Sequence, residues 1–253
     1  MMPANSVIES IEPHGLSSWS RSACIETSVD GERIAYFLKA TPSISGKIMF
    51  EGECEGIRAI YDAVPGFCPR AVGTGMYESE PGVYFLLQRF VDMIEEPPDP
   101  ETLPEKLAEM HKNGEASDGM FGFHVPTTAG LLPIHVAKGR SWEDYFTRYI
   151  KYCLLAEQLA QGPPGDPEYK RLTTIFLERI VPRLLRPLET GGREIQPRLI
   201  HTDIWHGNTG IDNDDGRPVI FDPCPEYGHN ERKATRPVLT LFSILVLIPL
   251  HSR

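Results

Sequence analysis

Two carboxylates and a carboxamide stand out in the run RLIHTDIWHGNTGIDNDDGRPVIFDP, residues 198–223: Asp203, Asn208 and Asp222. Leu199 and Ile200 lead into the first of them, so the Asp203 loop should be anchored on buried chain. Ile211 and Val219 flank Asn213-Asp214-Asp215-Gly216, a turn sequence, and a hairpin there returns the chain to where it began. Asp222 at the end of the hairpin then lands near Asn208 at its start, and three oxygen-bearing side chains converge on one point. Such donors suit Mg²⁺, a hard ion that keeps several waters and usually binds together with substrate phosphates. His201, Asp203 and His206 offer a rival His-x-Asp-x-x-His set for a transition metal, but that reading leaves Asn208 and Asp222 unexplained. His201 reads better as a residue that hydrogen-bonds the loop, and Gly210 and Asp212 as hairpin geometry.

The elements that must position this loop are legible upstream. Residues 19–28 and 33–40 pattern as strands around Asp30-Gly31, a dipeptide that supplies the positive φ of a tight hairpin turn. On the second of them Ile34, Tyr36 and Leu38 share one face, and Phe37 and Lys39 the other. Ile57, Ile60, Tyr61 and Val64 recur at helical spacing over residues 50–64, and Pro65-Gly66 stops the run. Strands follow near 70–76 and 83–90, giving the order strand, loop, strand, strand, helix, strand, strand. After Glu95 the acidic connector EEPPDP leads into helical sequence. The spacing predicts a helix near Pro104–Lys112 opened by a Thr102-x-x-Glu105 capping box, a loop over 113–140, and a long helix opened by Ser141-x-x-Asp144. In that helix Trp142, Tyr145, Phe146, Tyr149, Ile150 and Cys153 stand at core spacing. Asp166-Pro167 starts another helix, running to about Pro182.

Composition narrows the classes of function. Of 253 residues 41% are hydrophobic and 24% charged, the pattern of an ordinary folded protein. The net charge of −10 argues against nucleic acid or an anionic membrane as the main partner. An anionic ligand such as a nucleotide therefore needs local cations, a metal or backbone amides. The five cysteines, Cys24, Cys54, Cys68, Cys153 and Cys224, form no CxxC pair and read as reduced thiols. The opening MMPANSVIESIEPHG lacks a secretion signal, and the apolar run Val238–Leu250 is too short to span a bilayer. These features together predict a cytoplasmic protein with no membrane partner.

The Asp203, Asn208 and Asp222 arrangement resembles the catalytic loop and metal-binding strand of protein-kinase-like phosphotransferases. MFEGECEGIRAI, FGFHVPTTAG, HTDIWHGN and IFDPCPEYGHNE together narrow the resemblance to the fructosamine/ketosamine-3-kinase family, the protein-ribulosamine 3-kinases, from about residue 15 to Glu231. The resemblance implies an α+β, protein-kinase-like fold of two lobes: a nucleotide-binding N-lobe over residues 1–92, a mainly helical C-lobe over 93–231 and an atypical apolar tail over 232–253. It implies ATP and Mg²⁺ as cofactors and phosphorylation of the sugar 3-hydroxyl of ketosamines, either glycated proteins or small adducts, as a deglycation repair step. By the same resemblance Asp203 is the catalytic base, and Asn208 and Asp222 hold the metal. Lys39 and Glu53 form the phosphate-orienting pair, with Glu53 chosen over Glu51 and Glu55. Ser17 and Ser18 lie in the phosphate loop, and Gln88 and Phe90 in the linker against adenine. An aminoglycoside- or choline-like acceptor, or an inactive kinase-like protein, are the alternative readings.

Three departures from the family pattern carry consequences. The phosphate loop HGLSSWSRSAC has a single glycine, Gly15, and no cysteine where some relatives place one. Thr202 stands where glycine usually separates the histidine from the catalytic aspartate, a tolerable change unless that position needs positive φ. After Glu231 the chain reads RKATRPVLTLFSILVLIPLHSR in place of further helices, which reads as truncation and should leave Tyr149, Ile150 and Cys153 partly uncovered.

Overall fold

The Asp30-Gly31 turn forms as its sequence requires: both residues have positive φ, 53° and 88°. It joins strand β2 (Arg21–Val29) to β3 (Glu32–Thr41) in the computed structural model, which describes residues 2–15, 17–94 and 96–234. With β1 (Val7–Pro13), β4 (Ala71–Met76) and β5 (Tyr84–Arg89) they make one antiparallel sheet in the order β1-β2-β3-β5-β4. Alternation sorts the faces of β3. Tyr36 is buried with Ile25 and Leu87 on one side, where Ile34 and Leu38 join them, and Lys39 points to the other.

Helix α1 (Gly46–Ala63) starts four residues before the apolar spacing predicts. Its buried set includes Met49 and Phe50 as well as Ile57 and Ile60, so its inward face continues past the stretch that periodicity marks. Phe50, Ile57 and Ile60 pack into the central core with Leu86 of β5, Met110 of α2 (Thr102–Asn113), Leu199 of β9 (Arg198–Ile200) and Ile220 of β11 (Pro218–Ile220). This helix is therefore shared by the sheet and by the rest of the chain. Burying such side chains is worth about 1.5–3 kcal/mol each, which keeps the two halves together.

Beyond the sheet, the two-residue β6 (Met93–Ile94) crosses to pair with β10 (Thr209–Asp212), whose other neighbour is β11. Helix α2 is not opened by a Thr102 box. Asp99 Oδ1 accepts from the N–H groups of Glu101 and Thr102, so an aspartate earlier in the connector satisfies the free amides. The predicted loop over 113–140 contains a short hairpin, β7 (Thr127–Ala129) and β8 (Leu132–Ile134). Helix α3 (Trp142–Gln161) opens as expected, with Ser141 Oγ accepting from Asp144 N–H. Asp166 caps α4 (Pro167–Ile175) by accepting from Glu168 N–H. The helix then continues past Pro182, through a π turn at Phe176–Ile180 into α5 (Val181–Leu185). Pro182 has no N–H and crowds the carbonyl four residues back, and the widened turn before it absorbs that defect.

Tyr149 is half-buried, whereas Ile150 and Cys153 are 7% and 4% exposed, contrary to the expected uncovering. Both face inward; Cys153 lines the cavity described below with Cys224 and Arg232. The uncovered apolar residues lie elsewhere, at Leu155, Leu159, Leu172 and Leu184. Among the described residues no helix is long and apolar enough to cross a membrane. The apolar run Val238–Leu250 lies outside the described residues.

Candidate active site

Two glycines on α1 bring the site together. A Cβ on Gly52 would stand 2.8 Å from the Pro126 carbonyl, and one on Gly56 would stand 2.5 Å from Pro225 Cγ. Only bare backbone at these positions lets the Pro126 and Pro225 segments approach the helix so closely. Glu53, beside the first glycine, then faces Lys39 of β3, and Asp222, three residues before Pro225, faces the same lysine. Lys39 Nζ donates to Glu53 Oε1 at 2.7 Å and to Asp222 Oδ1 at 2.5 Å.

The electrostatics of this trio follow from one ammonium serving two carboxylates. Burial works to lower Lys39, but the charges of Glu53 and Asp222 outweigh it and hold the ammonium above its ordinary range. Burial pushes Glu53 upward; Lys39 pulls it back only in part, and the Asp222 charge adds to the rise. The lysine and glutamate are both nearly buried, whereas the Asp222 side chain is 44% exposed and opens to the cavity.

The loop that carries Asp203 is held from behind by β9 and β12 (Glu226–Gly228), which pair at Ile200–Glu226. His201 is fully buried. Its Nε2 lies 2.8 Å from the Phe221 carbonyl, which can only accept, so Nε2 carries the proton and Nδ1 accepts from Asp203 N–H. That is the loop-bonding role read from the sequence, and it uses both ring nitrogens. Among the described residues no group of three or more His, Cys, Asp or Glu is placed to hold a metal, so the rival transition-metal set finds no support. Asn208 Nδ2 donates to Asp203 Oδ2 at 3.0 Å and to the Asp203 carbonyl at 2.9 Å. The hairpin return works as argued, with Phe221 N–H donating to the Asn208 carbonyl at 3.1 Å.

Thr202 adopts φ 59° and Asp222 φ 57°. The first is the left-handed backbone that a β-branched residue resists, and the second precedes Pro223, which restricts it further. The Thr202 hydroxyl donates to the Cys224 carbonyl at 2.5 Å, tying the two strained positions into one loop pair.

Lys39, Glu53, Asp203, Asn208, Asp222, Ser17 and Ser18 all line one cavity of about 700 Å³. Gln88 and Phe90 do not line it. Gln88 is buried between β3 and β4, opposite Phe37 and Ala71, and the Phe90 ring meets His14 edge-on at 5.0 Å. Trp19, Trp205 and Arg232 line the cavity as well; the two tryptophans stand within the quoted segments HGLSSWSRSAC and HTDIWHGN without a role of their own, and Arg232 lies just beyond the family-like stretch. Arg232 pairs with Glu226, lies 4.2 Å over the Tyr149 ring, and is held above its ordinary range by Glu226 against the effect of burial. Tyr145 Oη also donates to Glu226, at 2.9 Å. Trp142 packs with Phe121 and Tyr145 in a buried cluster apart from the cavity lining.

The donor set fits Mg²⁺. Asn208 has its Nδ2 committed to Asp203, leaving its carboxamide oxygen as the ligand atom, and Asp222 presents a partly exposed carboxylate. Two protein oxygens are what an ion completed by waters and phosphates needs.

Comparison with known proteins bears on this geometry. Residues 8–241 match the fructosamine kinase family. The chain is 33% identical over 198 residues to a chloroplastic protein-ribulosamine 3-kinase of Arabidopsis thaliana, an alignment covering 78% of the chain and 56% of that relative, so the chain spans little more than half its length. The crystal structure of a protein assigned as a fructosamine-3-kinase from Thermobifida fusca superposes with a TM-score of 0.64 at 24% identity, over 88% of this chain and 71% of that one. A thermostable aminoglycoside phosphotransferase mutant, solved with AMP-PNP and hygromycin B, superposes with a TM-score of 0.53 at 16% identity, covering 88% and 70%. The fold is thus α+β and kinase-like.

Proposed function

This chain belongs to the fructosamine kinase family, and from that premise we propose that it transfers the γ-phosphoryl group of ATP to the sugar 3-hydroxyl of a ketosamine. The observation that carries the reading is the convergence of Asp203, Asn208 and the Lys39–Glu53–Asp222 trio on one cavity. Asp203 accepts the proton of the acceptor hydroxyl as that oxygen attacks phosphorus. Asn208 keeps the Asp203 carboxylate in place for this. Lys39, oriented by Glu53, pairs with phosphate oxygens, and Ser17 and Ser18, which line the same cavity, are the phosphate loop of this reading. Asn208 and Asp222 hold Mg²⁺, which when bound neutralises charge on the phosphates. Placing charge around the transferred group is most of what such a reaction asks of a protein. Gln88 and Phe90 belong in this proposal to the adenine end, beyond the cavity that holds the reacting groups.

The nucleotide assignment draws support from the AMP-PNP-bound neighbour, and the acceptor assignment from the ribulosamine-kinase relative. Glycated protein lysines and small ketosamines are both candidate acceptors, and deglycation of the cytoplasmic proteome is the role we assign. The test is to incubate the protein with MgATP and a fructosyl- or ribulosyl-lysine peptide, then follow ADP release and phosphate on the sugar. Turnover with the peptide, and none with glucose or choline, is the expected outcome. Preference for an aminoglycoside or choline in the same assay would overturn the acceptor assignment.

A further inference from the structure

The roof of the cavity is not built as a glycine-rich phosphate loop. Residues 14–20 read HGLSSWS. Ser17 Oγ accepts from the N–H groups of Trp19 and Ser20 at 3.2 and 3.3 Å, so amides that a glycine-rich loop would aim at phosphate oxygens are engaged inside the turn. Another contact holds the turn over the cavity. The Trp19 indole, 50% exposed, faces Gly130 at the tip of the β7–β8 hairpin, and a Cβ on Gly130 would stand 3.3 Å from Trp19 Cζ2.

That hairpin is itself anchored to both sides of the reacting groups. The Thr128 carbonyl accepts from Cys224 Sγ at 2.7 Å, two residues beyond Asp222. The close approach of Pro126 and Thr127 to Gly52 ties the same hairpin to the helix turn that carries Glu53. A contact from Trp19 to Gly130 therefore references the roof to the two carboxylates that grip Lys39. We propose that Trp19, resting on Gly130, is a positioning residue that fixes the Ser17–Ser20 turn over the phosphate end of the cavity and so sets nucleotide affinity. The inference rests on the phosphotransferase reading for the identity of its ligand. Its physical basis is preorganisation: a loop already ordered by a protein contact loses less freedom when the nucleotide arrives.

The experiment uses the full chain, with Trp19→Ala and Gly130→Asn separately and together. Asparagine tolerates the positive φ of Gly130, 60°, and directs its Cβ at the indole. Calorimetry with AMP-PNP and Mg²⁺ should show Kd raised about tenfold in each variant, with the double variant no weaker than the worse single, as expected of two changes that break one contact. At saturating ATP, kcat should stay within about threefold of the parent, because the groups that carry the chemistry are untouched. In 5-fluorotryptophan-labelled protein, the fluorine resonance lost in Trp19→Ala should move in Gly130→Asn. Unchanged Kd in Trp19→Ala, effects that multiply in the double variant, a Trp19 resonance indifferent to Gly130→Asn, or a parent that binds no nucleotide would each overturn the proposal. A parent that binds AMP-PNP but phosphorylates no ketosamine would sink the acceptor reading, and the Kd series would still decide the role of Trp19.

Discussion

On the floor of the cavity the loop from His201 to Asn208 is crossed by bonds to Phe221 and Cys224, whereas the roof, Ser17–Ser20, is closed by Ser17 and by one indole resting on a glycine. The floor contains two non-glycine residues at positive φ, Thr202 and Asp222. Such backbone costs of order 1–3 kcal/mol per residue and survives where the surroundings over-determine it. Among the roof residues Ser17–Ser20 none has positive φ, and the left-handed position just before them is a glycine, Gly15 at φ 77°. Strain is thus carried at or beside the residues we assign to the reaction, and the proposed nucleotide-facing turn shows none.

The sharpest way to break that contrast is to remove the floor's support. Arg232→Ala leaves Glu226 as a buried carboxylate without its cation behind the Asp203 loop, and should lower unfolding stability by about 3–5 kcal/mol. Ser17→Ala on the exposed roof should stay within about 0.5 kcal/mol of the parent. Urea titrations of both check this, and similar losses in the two would erase the distinction.

Chemistry comes next in size. If Asp203 is the base we propose, Asp203→Asn should reduce kcat by about 10²-fold or more while AMP-PNP affinity holds. Near-full turnover in this variant would show that Asp203 serves the floor only as scaffold.

A pH series sharpens the electrostatic side. The folded protein holds Glu53 above its ordinary value of 4.5, at about 7, so it binds a proton more readily than the unfolded chain does. That contribution to stability is complete below the ordinary value and is lost as pH rises through the folded one. The slope cannot exceed about 1.4 kcal/mol per pH unit for one proton. Melts between these limits should show the decline in the parent and a flatter profile in Glu53→Gln. An identical profile in the two would remove Glu53 as its source.

The smallest effect isolates strain from bonding. Thr202→Val keeps the branched Cβ at φ 59° and loses the hydroxyl bond to Cys224, and should cost about 1–2 kcal/mol. Thr202→Gly relieves the strain as it loses the bond, and should fall within about 1 kcal/mol of the parent. If glycine is the more damaging, the bond outweighs the strain.

Much of this was legible in the sequence where local rules apply. Asp30-Gly31, Ser141 and Asp166 announce their turn and caps because the partners lie within a few residues. Hairpin logic brought Asp222 back to Asn208, since a two-stranded return has only one geometry. Thr202 was marked as sensitive to φ, and φ there is positive. Contacts set by distant packing were illegible. Asp99 displaced Thr102 as the source of capping bonds, α1 reached back to Gly46 with Met49 buried ahead of the predicted stretch, and nothing local paired Glu226 with Arg232. Trp19 meets its partner 111 residues away, and no periodicity marks such a pair.

The glycines of α1 have a consequence for inheritance. A methyl group at position 56 would fall 2.5 Å from Pro225 Cγ, so position 56 cannot drift while proline stands at 225. A lineage that acquires alanine at 56 must first, or at once, accept something smaller than proline at 225. Position 52 is bounded instead by backbone, at the Pro126 carbonyl, and no side-chain change elsewhere opens room for it. Across descendants of this chain, a substitution at 56 should therefore come only with or after one at 225, and position 52 should scarcely change at all.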